Sequence, residues 1–228
     1  MEIPSYHAPF NKSYDMWQSG PKGDAARDEL IECLEICAKH EIPVMVTHAF
    51  IGYDDSLAIP EAGIERFGAV AKRAAELGVT LALENTEGEE YLAALMEHFK
   101  DNDSVGFCWD SGHEMCYNYS KDLLALYGDK LIATHLNDNL GISDFGGRIY
   151  WTDDLHLLPF DGIADWDNIA QRLDRCGCDG IMTFELNIRS KPDRHENDIY
   201  TKMTIEEYVA ECYKRACRVA AKRNKFQK

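Results

Sequence analysis

Positive charge is scarce in this chain. Its 228 residues include 24 Lys and Arg against 40 Asp and Glu, which gives a formal net charge of −16 at pH 7. A protein that binds a nucleic-acid duplex has to neutralise phosphate groups with Lys and Arg. The charge balance therefore argues against a nucleic-acid partner, and only a local basic patch would offset it.

Long apolar segments and cysteine motifs are missing as well. No run of 18 apolar residues occurs, so no membrane-spanning helix is predicted. The N-terminal residues lack the basic segment followed by an apolar segment that marks a signal peptide. The eight Cys form no Cys-x-x-Cys pair, which excludes zinc-ribbon and thioredoxin motifs. Reduced thiols in a cytoplasmic protein fit this pattern best.

What the chain does contain is a repeated strand pattern. Six short apolar runs each end on a side chain that can bind a metal ion. Apolar runs of this length, set between helical segments, predict parallel strands that are covered on both faces. The runs 4–7, 44–48, 81–84, 107–110, 132–135 and 182–185 end on His7, His48, Glu84, Asp110, His135 and Glu185, respectively.

The two faces of these strands differ in side-chain size. Because side chains alternate along a strand, the residue two positions before each terminus lies on the same face. Those residues are mostly small: Ser5, Val46, Ala82, Cys108, Ala133 and Thr183. The opposite face is mostly bulky, with Tyr6, Leu83, Phe107, Trp109 and Phe184 among its members. A closed barrel whose mouth holds a pocket needs this arrangement.

Helical patterns fill the segments between the strands. They cover residues 24–39, 63–77, 88–99, 120–127, 165–175 and 204–221. Gly78 is a predicted helix stop, Ser120 a predicted N-cap, and Thr204 with Glu207 a predicted capping box. Strict alternation of strands and helices with no linker predicts one α/β domain, residues 1–228, built on a parallel sheet.

The longest irregular stretch is 136–165, directly after the strand that ends at His135. Loops longer than about 12–15 residues in a compact domain are usually functional or disordered. This one carries several polar and aromatic side chains, so we interpret it as functional. They are Asn137, Asp138, Arg148, Trp151, Asp154 and His156.

Six ordered motifs together resemble one family. They are H-A-P-F (His7 to Phe10), E-N-T-x-G (Glu84 to Gly88), D-S-G-H (Asp110 to His113), H-L-N-D (His135 to Asp138), D-L-H (Asp154 to His156) and F-E-L around Glu185. This order closely resembles the xylose isomerase-like TIM-barrel superfamily. That superfamily contains sugar and sugar-phosphate isomerases and epimerases and also endonuclease IV. The resemblance covers nearly the whole chain and implies a TIM-type (β/α) barrel.

In the epimerase branch the resemblance implies one divalent metal ion, held by Glu84, Asp110, His135 and Glu185. Three carboxylates and one imidazole suit Mn²⁺, Co²⁺ or Mg²⁺ better than a structural zinc site, although Zn²⁺ stays open. The two catalytic residues would be Glu84 and Glu185, one removing a proton from the substrate carbon and the other returning it. His113 matches a substrate-binding residue of that branch, and it could instead orient Asp110.

Two other functions remain open at this point. The nine ligands of the trinuclear zinc cluster in endonuclease IV all have counterparts here, which favours phosphodiester hydrolysis at apurinic sites as an alternative. The additional ligands would be His7, His48, His113, Asp154 and His156. The second alternative is a degenerate, non-catalytic sugar-binding barrel. The acidic charge balance favours sugar chemistry.

Weaker signals concern the substrate. Arg148 could hold a phosphate or carboxylate, and Trp151 could stack on a sugar face, as could Phe10 and Trp17. Surface or packing roles for these side chains are equally compatible with the sequence. The expected ligand is a small sugar or sugar phosphate.

The chain departs from the family at its start. Family members place two βα units before the strand that carries H-A-P-F, so six of eight units are expected here and the barrel is predicted to be N-terminally incomplete. A sheet that lacks two strands would expose two edges and the apolar surface beside them. We therefore expect either self-association, most simply as a homo-oligomer, or a chain of marginal stability that is prone to aggregate.

Overall fold

The computed structural model of the protein describes residues 2–52 and 58–223. Five strands alternate with seven helices along these residues. In chain order they are β1 (Ser5–His7), α1 (Pro21–Lys39), β2 (Val44–His48), α2 (Glu61–Leu77), β3 (Thr80–Glu84), α3 (Glu89–His98), β4 (Val105–Asp110), α4 (Ser111–Cys116), α5 (Leu123–Tyr127), β5 (Leu131–His135), α6 (Trp166–Arg175) and α7 (Ile205–Ala220). None of the helices in these ranges combines the length and the apolar character that crossing a bilayer would require.

The strands form one five-stranded sheet in the order β1-β2-β3-β4-β5. The pairs β1–β2, β2–β3 and β3–β4 are parallel. The register aligns the ends of β2 and β3, because His48 pairs with Glu84, whereas Glu84 pairs with Cys108, two residues before the end of β4. The carboxyl ends of β2 and β3 thus bring His48 and Glu84 to one edge of the sheet.

The predicted small-residue face exists. Val46, Ala82 and Cys108, on three neighbouring strands, form a buried apolar cluster against which Val44 and Ala133 pack. On the other face Leu81, Leu83 and Phe107 are fully buried. This is the division of small and bulky side chains that alternation along the strands predicts.

The chain divides into two compact units. The first holds residues 1–108 and 130–133, and the second holds 109–129 and 134–228, so the boundary crosses β4 and β5. Within the first unit, the buried guanidinium of Arg66 on α2 donates to the carbonyls of Met16, Gln18 and Gly20 and fixes the entry into α1. A single domain over 1–228 stays a prediction.

The sixth predicted strand, 182–185, is wrong as a strand of the sheet. Phe184 makes one isolated parallel bridge with Leu136, flanked by hydrogen bonds from Leu136 N to Thr183 O and from Glu185 N to Leu136 O. The Thr134 hydroxyl accepts from Thr183 N at 3.1 Å. The N–H group of Thr183 therefore donates to a side chain instead of a backbone carbonyl, and the hydrogen-bond ladder between strands does not extend past the bridge.

One predicted helix cap is wrong, one helix is not predicted, and one predicted capping box is confirmed. The Ser120 cap is wrong because Ser120 has a left-handed φ of 56°, whereas the Asp122 side chain caps α5 by accepting from Ala125 N. Helix α4 is not predicted at all, since its six residues show no apolar period. The Thr204–Glu207 capping box of α7 is present as predicted.

Candidate metal centre

Three predicted ligands meet in the second unit. Asp110 ends β4, His135 ends β5, and Glu185 follows the bridge to Leu136. Each offers one ligand atom, and these atoms lie within 4.8 Å of one another. His135 Nδ1 lies 3.2 Å from Glu185 Oε2, and the Glu185 side chain is 42% exposed while that of His135 is buried. Two carboxylates and an imidazole at this spacing can share a divalent cation.

Asp110 is held by its neighbours. Its Oδ1 accepts the backbone N–H of His113 at 2.7 Å, which also caps α4. The side-chain amide of Asn137 donates to Oδ1 at 3.1 Å and to Oδ2 at 2.9 Å. The Asn137 backbone is tied in turn to the Ser111 hydroxyl, which accepts from Asn137 N and donates to Asn137 O. The carboxylate therefore has a defined orientation before any ligand arrives.

A second group of predicted ligands, which we call the His7 cluster, lies in the first unit and consists of His7, His48 and Glu84. Glu84 is fully buried. Its Oε2 lies 3.1 Å from His7 Nε2 and 3.6 Å from His48 Nε2. The ring of Phe10 stacks on His48 with a centroid distance of 4.8 Å and an interplanar angle of 13°.

The tautomer of His7 follows from its contacts. Nδ1 lies 2.7 Å from the carbonyl oxygen of Ala8, which can only accept, so Nδ1 carries a hydrogen and donates. Nε2 then faces the Glu84 carboxylate. In a neutral ring with its hydrogen on Nδ1, the lone pair of Nε2 would face the lone pairs of the Glu84 carboxylate oxygen. It is stabilised either by a proton on Nε2 or by a cation that both groups bind.

The remaining predicted ligands form the His156 cluster, which consists of His113, Asp154 and His156 in the second unit. His156 repeats the arrangement of His7, because Nδ1 lies 3.1 Å from the carbonyl of Glu185 while Nε2 lies 3.0 Å from Asp154. His113 Nε2 approaches Asp154 Oδ1 at 3.5 Å. Ligating histidines in metal sites characteristically donate their second N–H to a backbone carbonyl or carboxylate in this way.

Electrostatics within the His156 cluster are strong. Burial alone would lower the pKa of His156, but the Asp154 carboxylate outweighs burial and raises the pKa to about 9. Burial also opposes ionisation of Asp154, yet His113 and His156 hold the pKa of Asp154 well below its ordinary value. The cluster therefore stabilises positive charge beside Asp154.

Lys191 is a functional candidate that the sequence did not reveal. Its Nζ lies 3.2 Å from Asp154 Oδ2 and 5.4 Å from the centroid of the Trp151 ring. It precedes Pro192 in an irregular segment, where no strand or helix period marks it. Lys191 thus supplies a cation to the His156 cluster from within the chain.

The loop 136–165 is organised around Asp138. Its buried carboxylate accepts hydrogen bonds from the backbone N–H groups of Phe160 and Ala164 and from the indole of Trp166. The backbone of Asp138 forms an antiparallel bridge with Leu157. Among the substrate candidates, Trp151 is 54% exposed and contacts Lys191. The contacts described for Arg148 go to Tyr150, and Trp17 is buried in packing with its indole on Ala49 O.

The donor sets fit a divalent cation. They combine buried carboxylates with imidazoles whose outward nitrogens are fixed by backbone carbonyls, and Asp110 is oriented by an amide. Hard carboxylate oxygens with one or more imidazoles suit Mn²⁺, Co²⁺, Mg²⁺ or Zn²⁺. The chemistry of these side chains alone does not distinguish among the four ions.

Comparisons with known proteins identify the family of the chain. A family model described as "Xylose isomerase-like TIM barrel" matches residues 1–222. The protein y4fM of Sinorhizobium fredii (strain NBRC 101917 / NGR234) is 30% identical over 80% of this chain. The chain spans 61% of that relative's length.

Solved structures extend the similarity to the fold. The IolI protein, described with a bound zinc atom, superposes with a TM-score of 0.69 at 20% identity, covering 96% of this chain and 76% of its own. D-psicose 3-epimerase with D-tagatose, from Clostridium cellulolyticum H10, gives a TM-score of 0.69 at 17% identity over 94% of this chain and 76% of its own. Sugar epimerases and a zinc-binding protein are therefore among the structural neighbours.

Proposed function

The chain belongs to the xylose isomerase-like TIM barrel family, and we propose that it is a divalent-metal-dependent isomerase or epimerase of a sugar or sugar phosphate. The observation that carries this proposal is the group of Asp110, His135 and Glu185, whose ligand atoms converge within 4.8 Å. The psicose epimerase among the structural neighbours supports the reaction class. The acidic charge of the chain favours a small substrate over nucleic acid.

We propose Glu84 as the fourth ligand. It ends β3, and its register partner on β4 is Cys108, two residues before Asp110 on the same strand. Paired residues of parallel strands point to the same face of the sheet, so Glu84 and Cys108 share one face. The role of a fourth ligand is the one that the family resemblance implies for Glu84.

The proton chemistry falls to the two glutamates. When bound, the cation would stabilise the negative charge that develops on the substrate oxygens as the carbon-bound proton leaves. Glu84, which is fully buried, and Glu185, which is partly exposed, would remove and return that proton. His113 and the exposed rings of Phe10 and Trp151 would contact the substrate, and Arg148 is the candidate for a phosphate or carboxylate group.

A cytoplasmic location and self-association complete this proposal. The apolar face of α7 exposes Ile205, Val209 and Tyr213, which is compatible with burial against another copy of the chain. Light scattering should give a mass above that of one chain, and a cooperatively unfolding monomer would contradict it.

Proton exchange tests the reaction class. Incubating the metal-loaded protein with candidate ketoses in D₂O should incorporate deuterium at a substrate carbon, and Glu84→Gln and Glu185→Gln should each remove that incorporation. Glu97→Gln is the matched control, because Glu97 lies exposed on α3 in an ion pair with Lys100. Incorporation that survives both glutamate variants would contradict the proposal.

One rival function has its own supporting observation. His7 and His156 both present Nε2 to a carboxylate with Nδ1 fixed on a carbonyl, as ligands of additional zinc ions would. This favours a zinc-dependent apurinic-site endonuclease as the second candidate. Cleavage of an oligonucleotide with one abasic site, without any sugar turnover, would put it first. Metal binding without either activity would point to a non-catalytic sugar-binding barrel.

A further inference from the structure

Asn137 occupies an unusual position beside a proposed ligand. It is fully buried, and its amide nitrogen donates to both oxygens of Asp110 at 2.9 and 3.1 Å. The Asp110 carboxylate can only accept, so the amide must turn its nitrogen toward Asp110 and its oxygen away. In the described part of the chain Asn137 Oδ1 has no hydrogen-bond partner. A buried amide that leaves its oxygen without a partner is held in place by its other contacts.

The amide oxygen of Asn137 lies against Gly112, where a side chain would stand. A Cβ built on Gly112 would lie 1.9 Å from Asn137 Oδ1, 2.9 Å from Cγ and 3.2 Å from Nδ2. All three nearest atoms belong to Asn137. The φ of Gly112 is not in the left-handed region, so close approach rather than backbone freedom requires glycine here. The amide of Asn137 therefore occupies the space that a side chain at position 112 would need.

We infer that Asn137 is a positioning residue that holds the Asp110 carboxylate in its ion-binding orientation, and that Gly112 is glycine to make room for that amide. The inference rests on the proposed function, because it assigns Asn137 a role toward the same ion. Its chemistry is that of partners behind metal ligands, where hydrogen bonds fix the ligand's rotation and basicity. The Ser111 hydroxyl, which bonds both backbone groups of Asn137, sets the position from which the amide acts.

A double-mutant cycle tests the inference by metal affinity, without any need for a substrate. Asn137→Ala should weaken Mn²⁺ or Co²⁺ binding in calorimetry by about 10–100-fold, the usual range for losing such a partner. Gly112→Ala should weaken it similarly, because the new methyl group displaces the amide. The double variant should bind no more weakly than Asn137→Ala alone, since the atoms that collide with the methyl group are gone.

Two further variants separate positioning from folding. Asn137→Leu keeps a side chain of similar size without a donor, and it should alter the visible absorption of the Co²⁺-loaded protein. Asn139→Leu is the matched control, because the Asn139 side chain is equally buried in the same loop and accepts from Gly141 N. It should leave both affinity and absorption unchanged.

The outcomes are distinct. Wild-type protein that binds the ion, with Asn137→Ala and Asn137→Leu binding equally tightly, overturns the inference and leaves the proposed function standing. Additive losses in the double variant, or an equal loss in Asn139→Leu, also overturn it. Wild-type protein that binds no divalent ion overturns the inference and the proposed function together.

Discussion

The His7 cluster and the His156 cluster are built alike but are neutralised differently. In both, a histidine donates Nδ1–H to a backbone carbonyl and turns Nε2 to a carboxylate at 3.0–3.1 Å. In the His156 cluster, Lys191 also reaches the carboxylate, at 3.2 Å from Asp154. In the His7 cluster, Glu84 is instead enclosed by two imidazoles, one of them under the ring of Phe10.

The difference indicates where a metal ion belongs. A lysine ammonium within about 4 Å of a dication costs several kcal/mol even at an effective dielectric constant near 20. We therefore expect the ammonium of Lys191 to oppose a metal ion in the His156 cluster. This comparison predicts one ion per chain, held outside the His156 cluster.

The largest expected effect is on deuterium incorporation, and it distinguishes Glu84 of the His7 cluster from Asp154 of the His156 cluster. Glu84→Gln should lower deuterium incorporation by about 10²–10⁴-fold, the range for removing a general base, and should also weaken metal binding. Asp154→Asn should lower incorporation less than about tenfold, because Asp154 is not the proposed base. Both are measured by mass spectrometry of the sugar after incubation in D₂O. The reverse order would assign the chemistry to the His156 cluster.

A structural effect comes next and concerns the loop 136–165, which carries Asp154 and His156 of the His156 cluster. Asp138→Ala should lower the free energy of unfolding by about 3 kcal/mol, because it leaves the buried indole N–H of Trp166 and the part-buried N–H groups of Phe160 and Ala164 without their acceptor. Urea unfolding followed by tryptophan fluorescence measures this loss. Asp144→Ala, on the exposed turn of the same loop, is the control and should change stability by less than about 0.5 kcal/mol. Equal losses would contradict the role given to Asp138.

The smallest expected effect tests the role of Lys191. Lys191→Met removes the cation from Asp154 and should let the His156 cluster take up a second divalent ion at least about tenfold more tightly than wild type. Calorimetry with excess Zn²⁺ measures it. Lys100→Met, which removes only an exposed ion pair with Glu97, should leave the second binding event unchanged. An unchanged second affinity in Lys191→Met would remove the distinction between the clusters.

The strand ends were the most predictable part of the molecule. The small-residue face predicted from Val46, Ala82 and Cys108 is confirmed as a buried cluster, because alternation along a strand is a local property. The capping box at Thr204 is likewise local and is confirmed. The family is confirmed by the match over residues 1–222.

Features that depend on distant contacts were not predictable. The residues 182–185 are apolar and typical of a strand, but the backbone N–H of Thr183 donates to the Thr134 hydroxyl. Only an isolated bridge between Phe184 and Leu136 forms. Helix α4 has only six residues, which is too short to show an apolar period. It also follows the strand directly, because Asp110 both ends β4 and caps α4. Lys191 and Gly112 carry no signal in the sequence, since their meaning depends on Asp154 and Asn137 lying beside them in space.

Metal stoichiometry tests the central claim most directly. Purified protein, loaded in turn with Mn²⁺, Co²⁺ and Zn²⁺ and then dialysed, should retain about one ion per chain by elemental analysis, and His135→Ala and Glu185→Gln should retain none. Glu97→Gln should retain the wild-type amount. Folded wild-type protein that retains no ion would contradict the account, and three zinc ions per chain would contradict it in favour of the endonuclease.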